Sequence, residues 1–271
     1  MSQEISFHKM VASGNDFIVI DNRRYLLKNP AVLTRELCAQ HVSVGADGVL
    51  LIENSRKADF KMRILNSDGS EADACGNGFR CIALYAHKKM RMPARFRFES
   101  GAGLVEAQVK GARVCVELVK PSQFQGKAEL NVLGNRLHYS FINTGVPHTV
   151  IFVEALDKID VNGLGRAVRN HERFRPKGTN VNFVEVQGRN EIEVRTYERG
   201  VEGETLACGT GSTASALISC LLDYARPPVR VKTKSGEILT VNFIKQGPKI
   251  DKVTLEGSAR FVYEGKLTAG K

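Results

Sequence analysis

Hydrophobic and polar positions alternate with period two over much of the chain. Phe60-Lys61-Met62-Arg63-Ile64, Val114-Cys115-Val116-Glu117-Leu118, Ile192-Glu193-Val194, Val229-Arg230-Val231-Lys232-Thr233 and Val253-Thr254-Leu255 place every second side chain on one face, as half-buried strands do. Two stretches follow the helical period instead. Phe79, Ile82, Ala83, Ala86 and Met90 share one helical face, with Pro93 just beyond its end. Ala214, Leu217, Ile218 and Leu221 repeat that spacing, and Pro227 marks the stop. Many strands with one principal helix per half predict an α+β fold, each half a mostly antiparallel sheet or barrel wrapped around its helix.

The same order of signals is written twice. Cys75-Gly76-Asn77-Gly78 and Cys208-Gly209-Thr210-Gly211 share a C-G-x-G core at an offset of 208 − 75 = 133 residues. Upstream, Met62–Asn66 resembles Val194–Glu198 at 195 − 63 = 132, and Gly45–Leu50 faces Gly178–Phe183 at 178 − 45 = 133. Ser13-Gly14-Asn15 matches Thr144-Gly145-Val146 at 144 − 13 = 131. Four ordered matches at nearly one offset, close to half the length, indicate an internal duplication giving two pseudo-symmetric halves. The halves are expected at 1–120, completed by a C-terminal strand near 258–271, and at 121–257. The stretch Pro121–Gly134 is the expected junction, and the active site is expected in the cleft between the halves.

Composition then removes whole classes of function. At 42% hydrophobic and 25% charged over 271 residues, the chain buries a core and is not disordered. No run approaches the ~18 apolar residues of a membrane span. The opening residues lack a basic region followed by an apolar one, so no signal peptide and a cytoplasmic location are expected. The six cysteines form no regular framework and are read as reduced. Neither C-x-x-C nor H-E-x-x-H occurs, so no metal is expected. The net charge of +10 and the basic stretches His87–Arg97 and Arg166–Lys177 raise a nucleic-acid-binding module as an alternative. Phe96 and Phe98 interleave with Arg95 and Arg97, which also describes an amphipathic strand with its charges outward, the commoner case. The expected partner is therefore a small molecule, with neither nucleic acid nor membrane. Gly209–Ala214 fits the dinucleotide pattern G-x-G-x-x-G/A, but a polar loop leads into it where that site requires a hydrophobic strand.

The chemistry follows from the duplication. Each half sets one cysteine immediately before a Gly-x-Gly turn that opens a helix. Unpaired N–H groups and the partial positive charge of a helix start favour thiolate over thiol. The same groups can hold a carboxylate, and glycines allow close backbone approach to a ligand. Two such halves suit inversion at an amino-acid Cα, where one base takes the proton from one face and a conjugate acid returns one to the other. Charge gathering on the carboxylate would be stabilised by the helix donors. A two-thiol site of this kind needs neither metal nor pyridoxal phosphate. Cys38, Cys81, Cys115 and Cys220 are read as filler.

The stretch Asn66–Cys81, with Cys75-Gly-Asn-Gly at its centre, and the stretch Glu198–Ser212, with Cys208-Gly-Thr-Gly, resemble the two active-site motifs of the diaminopimelate epimerase family. Ser13–Phe17, Gly45–Gly48, Pro147-His148 and Asn180–Phe183 extend the resemblance over most of the chain. It implies a pyridoxal-phosphate-independent interconversion of LL- and meso-diaminopimelate, serving lysine and peptidoglycan synthesis, often by a homodimer. By that resemblance Cys75 and Cys208 are the acid–base pair, and Gly76, Asn77, Gly209 and Thr210 hold the reacting carboxylate. Asn15, Asn66, Asn180, Glu198 and Arg199 grip the substrate, and His148 orients a loop or fills space. Val146 and Gly48 stand where some relatives carry Asn and Gln, so contacts there must be made otherwise. A sister racemase of proline or hydroxyproline is the nearer alternative. The Glu198-Arg199 pair argues against it, because a small substrate has no distal zwitterion to hold.

Overall fold

The computed structural model describes residues 4–246 and 249–268. The chain forms two compact units, one built up to Glu117 and again from Gly257, the other from Leu118–Glu256. The first contains β1 (Glu4–Ala12), β2 (Asn15–Asp21), α1 (Pro30–Cys38), β3 (Gly48–Glu53), β4 (Lys61–Asn66), β5 (Glu71–Ala72), α2 (Gly76–Lys89), β6 (Arg95–Ser100), β7 (Gly103–Lys110) and β8 (Arg113–Leu118). The second contains β9 (Ser122–Val132), β10 (Asn135–Asn143), β11 (Pro147–Phe152), α3 (Val161–Arg169), β12 (Asn180–Gly188), β13 (Glu191–Glu198), β14 (Gly203–Thr205), α4 (Gly209–Leu221), β15 (Val229–Thr233), β16 (Ile238–Gln246) and β17 (Lys249–Ser258). The last strand, β18 (Arg260–Thr268), returns to the first unit. The Pro121–Gly134 stretch is thus the first strand of the second unit and the tight turn after it.

Strand pairing displays the duplication more clearly than sequence does. In the first unit β18–β1 and β1–β2 are antiparallel, β2–β3 parallel, β3–β4 antiparallel, β4–β6 parallel, and β6–β7 and β7–β8 antiparallel. The second repeats the series through β9, β10, β11, β12, β13, β15, β16 and β17. Each parallel step is bridged by a helix, α1 and α3 at the first and α2 and α4 at the second, as parallel strands require. Register also corrects one sequence match. Phe17 faces Gly48 as His148 faces Asn180, so Gly48 corresponds to Asn180 and not to Val181. Gly45 and Gly178 both turn with left-handed φ, 69° and 66°. The second half has one residue fewer between that turn and its strand.

The two principal helices are buried more completely than one apolar face would require. In α2 every residue from Gly76 to Ala86 is buried, and the helix packs on β1, β2 and β7. In α4 Gly209 and the run from Gly211 to Ser219 are buried, against β10–β13, β15 and β16. Leu217 and Ile218 have no exposed surface, and burying each contributes about 1.5–3 kcal/mol. Small residues let the sheet close around α4. Thr213 and Ser219 donate to the carbonyls of Gly209 and Ser215, so their buried hydroxyls stay satisfied. On β6, Phe96 and Phe98 are buried and Arg95 and Arg97 exposed, with Phe98 stacked on Phe60 at 5.3 Å. The alternation there is that of an amphipathic strand.

Candidate active site

Each principal helix starts on a cysteine. Cys75 caps α2 in extended backbone, and its Sγ accepts the N–H of Gly78 at 3.4 Å. Cys208 caps α4 in the same way, accepting from Gly211 at 3.4 Å. Cysteine is an unusual cap, yet here it satisfies one orphan donor of each helix and places sulfur in the positive end of its dipole. Cys75 is partly accessible and Cys208 is buried. Burial pushes the Cys38 and Cys220 thiols up to about 11, which leaves them protonated and inert at neutral pH.

In the first unit the structure gathers Asn15, Gly76 and Asn77 around the start of α2. The Asn77 amide donates to Asn15 Oδ1 at 2.5 Å. Asn66 ends β4 and donates to Ser70 within its own turn, so no contact among the described residues joins it to that group. Gly48 opens β3, where an added Cβ would lie 2.6 Å from the Leu65 carbonyl oxygen. The missing side chain at this position is imposed by strand pairing in this chain. Gly78 serves packing too, because a Cβ there would crowd Met62 and Leu50 at 3.2 and 3.3 Å.

In the second unit Cys208 Sγ lies 3.4 Å from Thr210 Oγ1, and Thr144 Oγ1 donates to the Thr210 carbonyl. Asn180 ties two loops together, donating to the Pro147 carbonyl and accepting the Arg199 N–H. Glu198 is the last residue of β13, and Arg199 donates to the Lys177 carbonyl. Arg199, Val146, Arg173, Arg175 and Lys177 line a cavity of about 440 Å³ that has no carboxylate among its lining residues. His148 is fully buried. Its Nδ1 accepts from Asn182, so the ring proton sits on Nε2, which has no partner among the described residues. Burial, aided by the Arg199 charge, lowers its pKa to about 3. His148 is therefore a neutral donor.

Asn182 was not singled out from sequence. It donates to His148 and to the Thr149 carbonyl, accepts from Thr196, and would touch a Cβ at Gly211 at 2.3 Å. Gly211 thus lets the first turn of α4 press on Asn182. The signal was present: Asn180 and Asn182 share one face of the strand's otherwise apolar, buried start.

The diaminopimelate epimerase family model matches residues 7–122 and 140–262. The chain belongs to that family. A diaminopimelate epimerase of Aquifex aeolicus is 47% identical over 97% of this chain and 98% of its own length. Another from Chlorobaculum tepidum is 42% identical, covering 96% and 100%. Among solved structures, a Bacillus anthracis phenazine biosynthesis protein of the PhzF family aligns with a TM-score of 0.75 at 16% identity, covering 98% of this chain and 99% of that one. A probable proline racemase from Agrobacterium radiobacter aligns at 0.73 and 15%, covering 98% and 93%. At those identities the shared feature is the fold, which in the diaminopimelate epimerase family carries the same duplicated halves. The dinucleotide reading of Gly209–Ala214 falls away, since the lead-in is the three-residue β14, antiparallel to β13.

Proposed function

We propose that this chain interconverts LL- and meso-diaminopimelate by two-base proton transfer, with Cys75 and Cys208 as the pair. Membership of the diaminopimelate epimerase family makes it an isomerase of lysine biosynthesis. The observation that carries the mechanism is the duplicated cap: two sulfurs, each accepting one helix N–H at 3.4 Å from the third residue along. One thiolate takes the Cα proton while the other thiol delivers one to the opposite face. Asn15, Asn77 and the backbone at Gly76, Gly209 and Thr210 supply donors for the reacting carboxylate, on which charge grows as the proton leaves. The cationic cavity at Arg199 suits the distal carboxylate, and Glu198 its ammonium. Asn180 holds Arg199 in place, and the neutral His148 contributes a donor. Asn66, at the end of β4, completes the grip.

The enzyme works in the cytoplasm as a homodimer. Support for the location is the chain's kinship with diaminopimelate epimerases, which are biosynthetic enzymes. Support for the dimer is the apolar face at Val262 and Tyr263, each nearly half exposed on β18. A solution mass of two chains by light scattering is expected, and a monomer at working concentration would refute that part.

The deciding experiment incubates LL-diaminopimelate, proline and hydroxyproline with the protein in D2O and reducing buffer. Only diaminopimelate should gain deuterium at Cα, appearing as the meso isomer. Cys75→Ala and Cys208→Ala should each lower turnover by ~10³-fold or more. Near-wild-type turnover in either variant would remove the two-base assignment.

A further inference from the structure

A chain of side-chain hydrogen bonds runs through the first unit beneath the start of α2. Arg80, fully buried in the second turn of the helix, donates through Nη2 to Asn77 Oδ1 at 2.7 Å and also to Ser13 Oγ. Asn77 Nδ2 donates to Asn15 Oδ1, and Asn15 Nδ2 donates to Asp47 Oδ2 at 2.8 Å. Asp47 is locked in turn. Its Oδ2 accepts the Asp16 N–H, its own N–H reaches Asp16, and Asp16 pairs with the buried Lys9 at 2.7 Å. Lys9 also donates to the Gly45 carbonyl.

The two ends of this chain differ in kind. A guanidinium can only donate, and an ionised carboxylate can only accept. An amide between them has one orientation that satisfies both neighbours. With Arg80 at one end and Asp47 at the other, Asn77 and Asn15 each spend their oxygen and one N–H inside the chain. What each has left to offer is its second N–H. The pair therefore presents donors alone, as a carboxylate requires.

We propose that Arg80 and Asp47 are positioning residues for the reaction: opposite ends of a polarised relay that fixes both amides with N–H toward the substrate carboxylate. This rests on the reading of Asn15 and Asn77 as carboxylate ligands. Among the described residues the second half has no such relay. Thr213 stands where the offset of 133 places the counterpart of Arg80, and its hydroxyl bonds within α4. Val146 stands where the offset of 131 places that of Asn15. The side-chain amides that orient the carboxylate thus belong to the first half, and the second half meets it with backbone donors.

Asp47→Asn tests this with little change of shape, because position 47 then loses the charge that holds the Asn15 N–H and is no longer an acceptor alone. KM for LL-diaminopimelate should rise about tenfold, with the melting temperature within a few degrees of wild type. An unchanged KM would overturn the proposal, as would a fall in kcat alone, which marks lost folded protein. Arg80→Lys keeps a donor-only end and should stay nearer to wild-type KM than Arg80→Gln. Equal KM in those two folded variants would also count against it. If the position 80 variants fail to fold, Asp47→Asn carries the test. A second readout needs no turnover: the Asn15 and Asn77 side-chain amide signals in a 15N correlation spectrum should shift in Asp47→Asn. Unshifted signals would refute the relay even if the protein acted on another amino acid.

Discussion

At the residue scale, the most informative groups are those whose surroundings leave one protonation state or one orientation. His148 is buried with its Nδ1 occupied as an acceptor, and its folded pKa of about 3 lies below the ordinary 6.5. Below pH 6.5 the unfolded chain binds a proton that the folded chain refuses. Stability should therefore fall as pH drops from about 6.5 toward 3, with a slope of up to ~1.4 kcal/mol per pH unit from this group. Denaturant melts of wild type and His148→Gln at pH 7 and pH 5 check this. The wild type should lose more stability over that step, and parallel losses would contradict it. The cysteines were legible in sequence because each opens a C-G-x-G turn, twice. Arg80, Asp47 and Asn182 were not singled out. Their meaning lies in contacts between residues 9, 13, 15, 16, 47, 77 and 80, or between 148, 182 and 211, and no local spacing encodes those.

At the element scale, helix faces and strand alternation predicted the right kinds of element but understated burial. The spacing in α2 marks one apolar face, whereas the sheet of its unit covers the helix all round, including Asn77, Arg80 and Tyr85. Polar residues inside a wrapped helix look like surface until their partners are known. The hairpins that precede the two cysteine-capped helices carry a matched brace. Arg63 forks onto Glu71 at 2.9 and 2.8 Å, and Arg195 onto Glu204 at 2.6 and 2.9 Å. The second brace is the more enclosed, with side chains 14% and 15% exposed against 26% and 48%. Arg195 also donates to the carbonyls of Leu156 and Ile159. Arg195→Ala should cost about 2 kcal/mol or more, and Arg63→Ala about 1. Urea denaturation measures both, and a larger loss at Arg63 would contradict the burial argument.

At the scale of the whole molecule, the duplication is the organising fact. Weak sequence matches at offsets of 131 to 133 pointed to it. The repeated series of parallel and antiparallel pairings establishes it, and slips of one residue at turns explain why the offset drifts. The halves have since diverged in their tasks. The first keeps an amide relay under its helix start, and the second keeps His148, Asn182 and a cationic cavity at Arg199. What both retained is the capping sulfur, the one feature a two-faced proton transfer needs from each side.

The central claim is that two different thiols serve the two faces of one carbon. The most direct measurement follows deuterium at early times in D2O, starting from pure LL-diaminopimelate. Two bases predict that the first meso product carries solvent deuterium while the recovered LL substrate remains protonated. Deuterium entering the recovered LL isomer as fast as the meso product would mean one base serving both faces, and would contradict the assignment of Cys75 and Cys208.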